Sequence, residues 1–168
     1  MRPFKKQHGF TLIEFIIVIT IISIVSAIAS KPLLQGYQAY VTAKNLINAD
    51  WQVRYALQRM TVGLRSLSYI TSANANSITY LDIHNHSITY DLSGNNLQRT
   101  DTSGLNAPQV LAHGIANLTF SYYDVNGSSL ATPVATPTSI QYIVITLNVS
   151  YKNIVFTAMT SVAPRNTP

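Results

Sequence analysis

Apolar and polar positions part the chain into three stretches. Residues 1–9, MRPFKKQHG, are mixed and basic, and Phe10 to Ala29 is then nearly continuous hydrocarbon. Only Glu14 and the small polar residues Thr11, Thr20, Ser23 and Ser26 interrupt it. About 20 helical residues rise about 30 Å, the thickness of a bilayer core, so residues 10–30 are predicted to be a membrane-spanning helix. Beyond Ser30 and Lys31 the helical pattern continues over 31–64. Leu46, Val53, Leu57, Met60 and Leu64 fall on one helical stripe, and Leu33, Tyr37, Tyr40 and Ile47 on a second. Lys44, Arg54 and Arg59 read as solvated positions. Pro32 removes a hydrogen bond and Gly36 loosens the same stretch, so a bend is expected there. One helix from about Phe10 to about Leu64 results, its distal half laid against a sheet. The lone Trp51 is expected to be a core anchor or a subunit contact.

After Leu67 the period changes. Ser72 to Ser77 is small and polar, a loop. SITYLDI (Ser77 to Ile83) and SITYDL (Ser87 to Leu92) repeat a tetrapeptide ten residues apart, and are read as adjacent antiparallel strands. A short strand at Leu97 to Thr100 precedes a loop over about Asp101 to Pro108. Ile115 to Asp124 alternates Leu118, Phe120 and Tyr122. An Asn126-Gly127 turn and a Thr/Pro-rich loop lead to a β-branched hairpin, Ile140 to Tyr151 with Ile154 to Val162, turning at Lys152 and Asn153. The tail from Ala163 to Pro168 is expected to fray. A long helix followed by runs of antiparallel strands is an α+β arrangement, with residues 65–168 as the β-sheet head.

Charge locates the functions that fit. The chain of 168 residues has a net charge of +5 and a pI near 9.6. Arg2, Lys5 and Lys6 supply three of those charges ahead of the apolar run. Such a cluster holds the N-terminus in the cytoplasm by the positive-inside rule and places the head outside. From Arg65 onward, Arg65, Arg99, Lys152 and Arg165 balance Asp82, Asp91, Asp101 and Asp124. A neutral head argues against nucleic acid as a partner, because nonspecific DNA binding draws on clustered cations. No cysteine is present, which excludes disulfides and thiolate metal sites.

Glu14 is the anomaly. An ionised residue within a membrane span costs about 2.5–3.5 kcal/mol on translocon scales, and it is usually paired or functional. A secretory signal peptide cut near Ala27-Ile28-Ala29 would explain the basic start and the apolar run, but not the acid or the length of the run. An ordinary single-pass anchor leaves the acid unexplained. The pattern K-x-x-G-F-T-L-I-E, formed by Lys6, Gly9, Phe10, Thr11, Leu12, Ile13 and Glu14, resembles the class III signal of type IV prepilins and type II secretion pseudopilins.

That resemblance implies the pilin fold, with a leader at 1–9, cleavage by prepilin peptidase between Gly9 and Phe10, and N-methylation of Phe10. It further implies that Glu14, fifth in the mature chain, meets the N-terminal amine of a neighbouring subunit during assembly. Unlike charges attract strongly in low dielectric, so such a pair would penalise wrong axial registers. The implied partners are other pilins or pseudopilins, an inner-membrane assembly platform and membrane lipid; no cofactor is implied. The location follows: inner membrane first, with a periplasmic head, and then the filament. Many major pilins close a C-terminal loop with a disulfide, so a chain without cysteine resembles minor pilins and pseudopilins more. Tyr90-Asp91-Leu92-Ser93-Gly94 with Leu97-Gln98-Arg99, and Ala163-Pro164-Arg165-Asn166, resemble stretches of W-type minor pilins and of pseudopilin J.

Chemistry in the head is sparse. His84 and His86 would share a strand face, with Asp82 as a third group, yet loop histidines without a role are commoner, and no metal is assigned. Asp124 to Ser128 begins like a calcium loop but lacks the later bidentate glutamate, and an Asn-Gly hairpin turn explains it better. Sequons at Asn85, Asn117, Asn126 and Asn148 are read as incidental. No nucleophile elbow or glycine-rich phosphate loop occurs. The first reading is therefore a non-enzymatic minor subunit of a pilus or pseudopilus. The alternative is a membrane-anchored periplasmic enzyme or ligand-binding domain, which requires a pocket with convergent polar groups.

Overall fold

The computed structural model describes residues 9–104, 107–151 and 154–165. They form one long helix and nine strands in chain order: α1 (Leu12–Arg65), β1 (Leu67–Ala73), β2 (Ile78–Asp82), β3 (Ser87–Ser93), β4 (Asn96–Asp101), β5 (Gln109–His113), β6 (Ile115–Tyr123), β7 (Ser129–Leu130), β8 (Tyr142–Tyr151) and β9 (Ile154–Val162). A single 3-10 turn, Pro137–Ser139, precedes β8. The leader residues Arg2, Lys5 and Lys6, the expected turn at Lys152 and Asn153, and the tail from Asn166 lie outside the described residues.

Two compact units divide the chain, 1–44 and 45–168. In the first, α1 from Leu12 to Ala29 is apolar on all sides apart from Glu14 and small hydroxyl residues, and its large side chains are exposed, as a span facing lipid would be. The helix runs through Pro32, where a bend was expected, without a break in its assignment.

In the second unit, α1 is half-buried along a single stripe. Val53, Leu57, Met60 and Leu64 are buried as their spacing predicts, joined by Ala49 and Ala56. The stripe ends sooner than expected, since Leu46 is 45% exposed. Trp51 is 70% exposed, so the expected core anchor is not found. Lys44, Arg54 and Arg59 are exposed, and Arg54 pairs with Asp50 one turn away at 2.7 Å.

The strands form two sheets where one was expected: five strands in the order β1-β2-β3-β4-β5, and four in the order β7-β6-β8-β9. All described pairings are antiparallel. The SITY repeat sets the register of β2 on β3. Ile78 faces Tyr90, Thr79 faces Thr89 and Tyr80 faces Ile88, so each tetrapeptide meets the reverse of the other. Thr79 and Thr89 join hydroxyls at 3.0 Å on one face, while Ile78, Tyr80, Ile88 and Tyr90 are buried on the other. In the second sheet Leu118, Phe120 and Tyr122 are buried beside Ile143, Ile145, Leu147 and Val149 of β8. These faces and the α1 stripe make one core.

Two strands depart from the expectation. β1 begins immediately after α1 and occupies part of the expected loop, which is confined to residues 74–77; β5 follows the loop after Pro108. The tail is also less free than expected. Pro164 is buried, and the Arg165 N–H donates to the Arg65 carbonyl at 3.4 Å.

Candidate functional site at the start of the helix

The residues singled out by charge and spacing sit at the first turn of α1. Gly9 and Phe10 precede it with no regular structure, and Phe10 is 84% exposed. A β-carbon on Gly9 would meet nothing within 4 Å, so packing does not require glycine there. Thr11 is the N-cap: its carbonyl accepts the first helical bond, from the Phe15 N–H at 3.2 Å. Glu14 reaches back to it. Its Oε2 accepts from the Thr11 N–H and the Thr11 hydroxyl, both at 3.2 Å, while the Glu14 N–H donates to Thr11 Oγ1 at 3.3 Å. This is a reciprocal capping box, T-x-x-E, satisfying backbone donors that a helix start otherwise leaves open. The sequence reading missed it, although the three-residue Thr–Glu spacing is its signal.

Beyond the cap the run offers lipid what it can tolerate. Phe10, Leu12, Ile13, Phe15 and the aliphatic residues to Ile28 are 43–84% exposed. The Thr20 and Ser23 hydroxyls each donate to the carbonyl one turn back, Ile16 and Ile19, at 2.7 Å. Ser30 donates to Ala27 at 2.9 Å. Hydroxyls satisfied by their own helix can enter an apolar solvent at little cost.

The head does contain a cleft, of about 510 Å³, between α1 and the first sheet. Arg59 and Gln58 of the helix face Tyr80, Asp82, Tyr90 and Arg99 across it. Arg99 is tied to Asp101 at 2.6 Å. Ser103, followed by Arg99, holds the Asp101 carboxyl down at about 2. Burial, and secondarily the Tyr90 hydroxyl, pushes the Tyr80 phenol far above its ordinary value, so it stays neutral. The cleft's serine, Ser66, spends its hydroxyl on the Val62 and Gly63 carbonyls.

At its edge, β2 turns into β3 through Ile83, His84 and Asn85. Asn85 takes φ = 62°, the left-handed position that closes a three-residue hairpin loop. Asp82 and His86 bracket this loop, and the structure brings Asp82, His84 and His86 together. The backbone N–H of His86, with that of His84, holds the Asp82 carboxyl below its ordinary range. The histidines lie at the hairpin turn and not on one strand face, because β2 stops at Asp82. The calcium-like stretch behaves as a turn: Asp124 Oδ1 accepts the Asn126 and Ser128 N–H groups at 2.9 and 2.7 Å, with Gly127 at φ = 77°.

Among known families, residues 4–30 match the model described as the prokaryotic N-terminal methylation motif. No curated protein matches the chain.

Proposed function

We propose that this chain, which matches the prokaryotic N-terminal methylation motif at residues 4–30 and carries an α+β head behind its long helix, is a minor, non-catalytic subunit of a pilus or pseudopilus of the type IV pilin and pseudopilin family. Prepilin peptidase cuts between Gly9 and Phe10 at the cytoplasmic face and methylates the Phe10 amine. The observation that carries the reading is the matched segment 4–30, in which GFTLIE leads directly into an apolar helix. Gly9 is consistent with it: a β-carbon there would meet nothing within 4 Å, so packing within the chain does not account for a glycine at this position.

In this reading residues 10–30 span the inner membrane and the head is periplasmic. Assembly platform, lipid and other pilins are the partners, and Glu14 pairs with the terminal amine of a neighbouring subunit. The absence of cysteine and the head segments around Tyr90 and Ala163 favour a minor subunit over a major one.

The test is the N-terminus itself. Expressed with prepilin peptidase, the chain should begin at a methylated Phe10 by mass spectrometry, and without it at Met1. Retention of residues 1–9 in the presence of the peptidase, or a cut after Ala29, overturns the reading.

A further inference from the structure

We propose that the β2–β3 hairpin is a binding site for one borderline divalent cation of the zinc class, held by Asp82, His84 and His86. The three offer a carboxylate oxygen and two imidazole nitrogens whose ligand atoms all lie within 4.8 Å of one another. Asp82 Oδ2 stands 3.4 Å from His86 Nδ1 and 3.8 Å from His84 Nδ1. Donors about 2.1 Å from a tetrahedral ion are about 3.4 Å apart, so rotamer-scale adjustment brings all three to a common centre.

The other carboxylate oxygen explains why the arrangement is ordered. Asp82 Oδ1 accepts the backbone N–H of His84 at 2.8 Å and that of His86 at 2.9 Å. Those bonds fix the plane of the carboxylate and leave Oδ2 directed at both rings. Outer hydrogen bonds of this kind orient ligands at metal centres. The turn does the rest. The Asn85 N–H donates to the Asp82 carbonyl and the Asp82 N–H to the His86 carbonyl, both at 3.0 Å. The chain thus reverses so that the two imidazoles flank one acid, nearly parallel with centroids 5.9 Å apart.

The donor set selects the ion. Two imidazoles with one carboxylate suit zinc, nickel or copper, whereas calcium and magnesium demand mostly oxygen. With only three protein ligands, at least one position stays open. Asp82 and His84 also line the 510 Å³ cleft, so that position is reached from solvent. The site is independent of the filament reading: it needs neither cleavage nor assembly.

Zinc titration of the full-length chain in detergent, followed by isothermal calorimetry, tests it. One Zn²⁺ per chain is expected. His84→Ala and His86→Ala should each weaken binding at least about tenfold, and the double variant should abolish it. Because these side chains are exposed (70% and 42%), the melting temperature without zinc should match the parent in both. His84→Gln, polar and of similar length, should behave as His84→Ala. A chain with His8→Ala and His113→Ala should bind as the parent does. The proposal is overturned if the parent shows no saturable binding, if the double hairpin variant binds equally well, or if binding is lost with His8 and His113.

Discussion

Replacing Gly63 with alanine measures how closely α1 sits on the first sheet. In an exposed helix interior the change should stabilise by about 1 kcal/mol, since glycine is the poorer helix former by that amount. Here the new β-carbon would lie 2.5 Å from the Tyr80 hydroxyl oxygen and 2.8 Å from that of Tyr90. Neither oxygen ends a flexible chain. Both rings are buried, only 1% exposed, and lie 6.0 Å apart on the same sheet face. Relief therefore requires a shift of helix against sheet. Overpacking of this kind costs about 1–3 kcal/mol, and two simultaneous contacts place it near the upper end. Subtracting the propensity gain leaves Gly63→Ala destabilised by about 2 kcal/mol.

A second variant isolates the cause. The Tyr80 hydroxyl is buried without a hydrogen-bond partner of good geometry, so Tyr80→Phe alone should be neutral or mildly stabilising. In that background the shorter contact is gone, and Gly63→Ala should lose at least about 1 kcal/mol of its penalty. Urea unfolding of the full chain in detergent, followed by near-ultraviolet circular dichroism of the tyrosines, reads both. If Gly63→Ala stabilises the protein, or if the two changes are additive, the close seating of helix on sheet is wrong.

Three further outcomes follow from particular groups. Glu14→Gln keeps an oxygen acceptor for the cap but removes the charge; cleavage after Gly9 should survive by mass spectrometry while recovery in purified filaments falls, and normal recovery removes the proposed role of the charge. Trp51→Ala should leave stability within about 0.5 kcal/mol, because the ring is 70% exposed, yet reduce co-purification with other pilins. A large loss of stability there would mean that the indole is packed. The folded Asp101 carboxyl, at about 2, titrates below the unfolded value of about 3.9, so its contribution is complete above that value and is lost as pH falls towards 2. Thermal melts from pH 5 to 2 should fall less steeply for Asp101→Asn, and identical slopes would show that Ser103 and Arg99 do not favour the ionised form.

Much of this was legible because the sequence states it locally. The apolar run, the Val53–Leu64 stripe and the SITY repeat each carry their own period, and each sits where that period puts it. β1 is different. Two register shifts on β2, between Leu67 and Tyr69 and between Ile70 and Ser72, erase the alternation that would mark LSYITSA as a strand. β5 is a short edge strand, its outer residues Gln109 and Val110 exposed, so burial imposed little pattern on it. Leu46 continues the helical period past the last residue the sheets cover. The split into two sheets depends on which strands pair across long separations, and no window of sequence contains that. At the hairpin, His84 and His86 were visible as a pair. What joins them to Asp82 is the left-handed Asn85, a turn signal that only the three-residue loop length makes readable.

Residues Thr11 to Glu14 bear on why an acid is tolerated within the apolar run. In lipid, the first N–H groups of α1 have no water to bond with, and each left open costs several kcal/mol. Thr11 and Glu14 satisfy two of them reciprocally, so part of what keeps a carboxylate here is internal to each subunit. That capping needs an oxygen acceptor, which glutamine supplies; the proposed pairing with a neighbour's amine needs the negative charge, which it does not. Glu14→Ala removes both at once, and cannot apportion a loss of assembly between them. Only Oε2 is engaged by Thr11. The cap and a neighbour's amine can therefore be served by one side chain through different oxygens, so the proposed pairing does not require Glu14 to give up its cap.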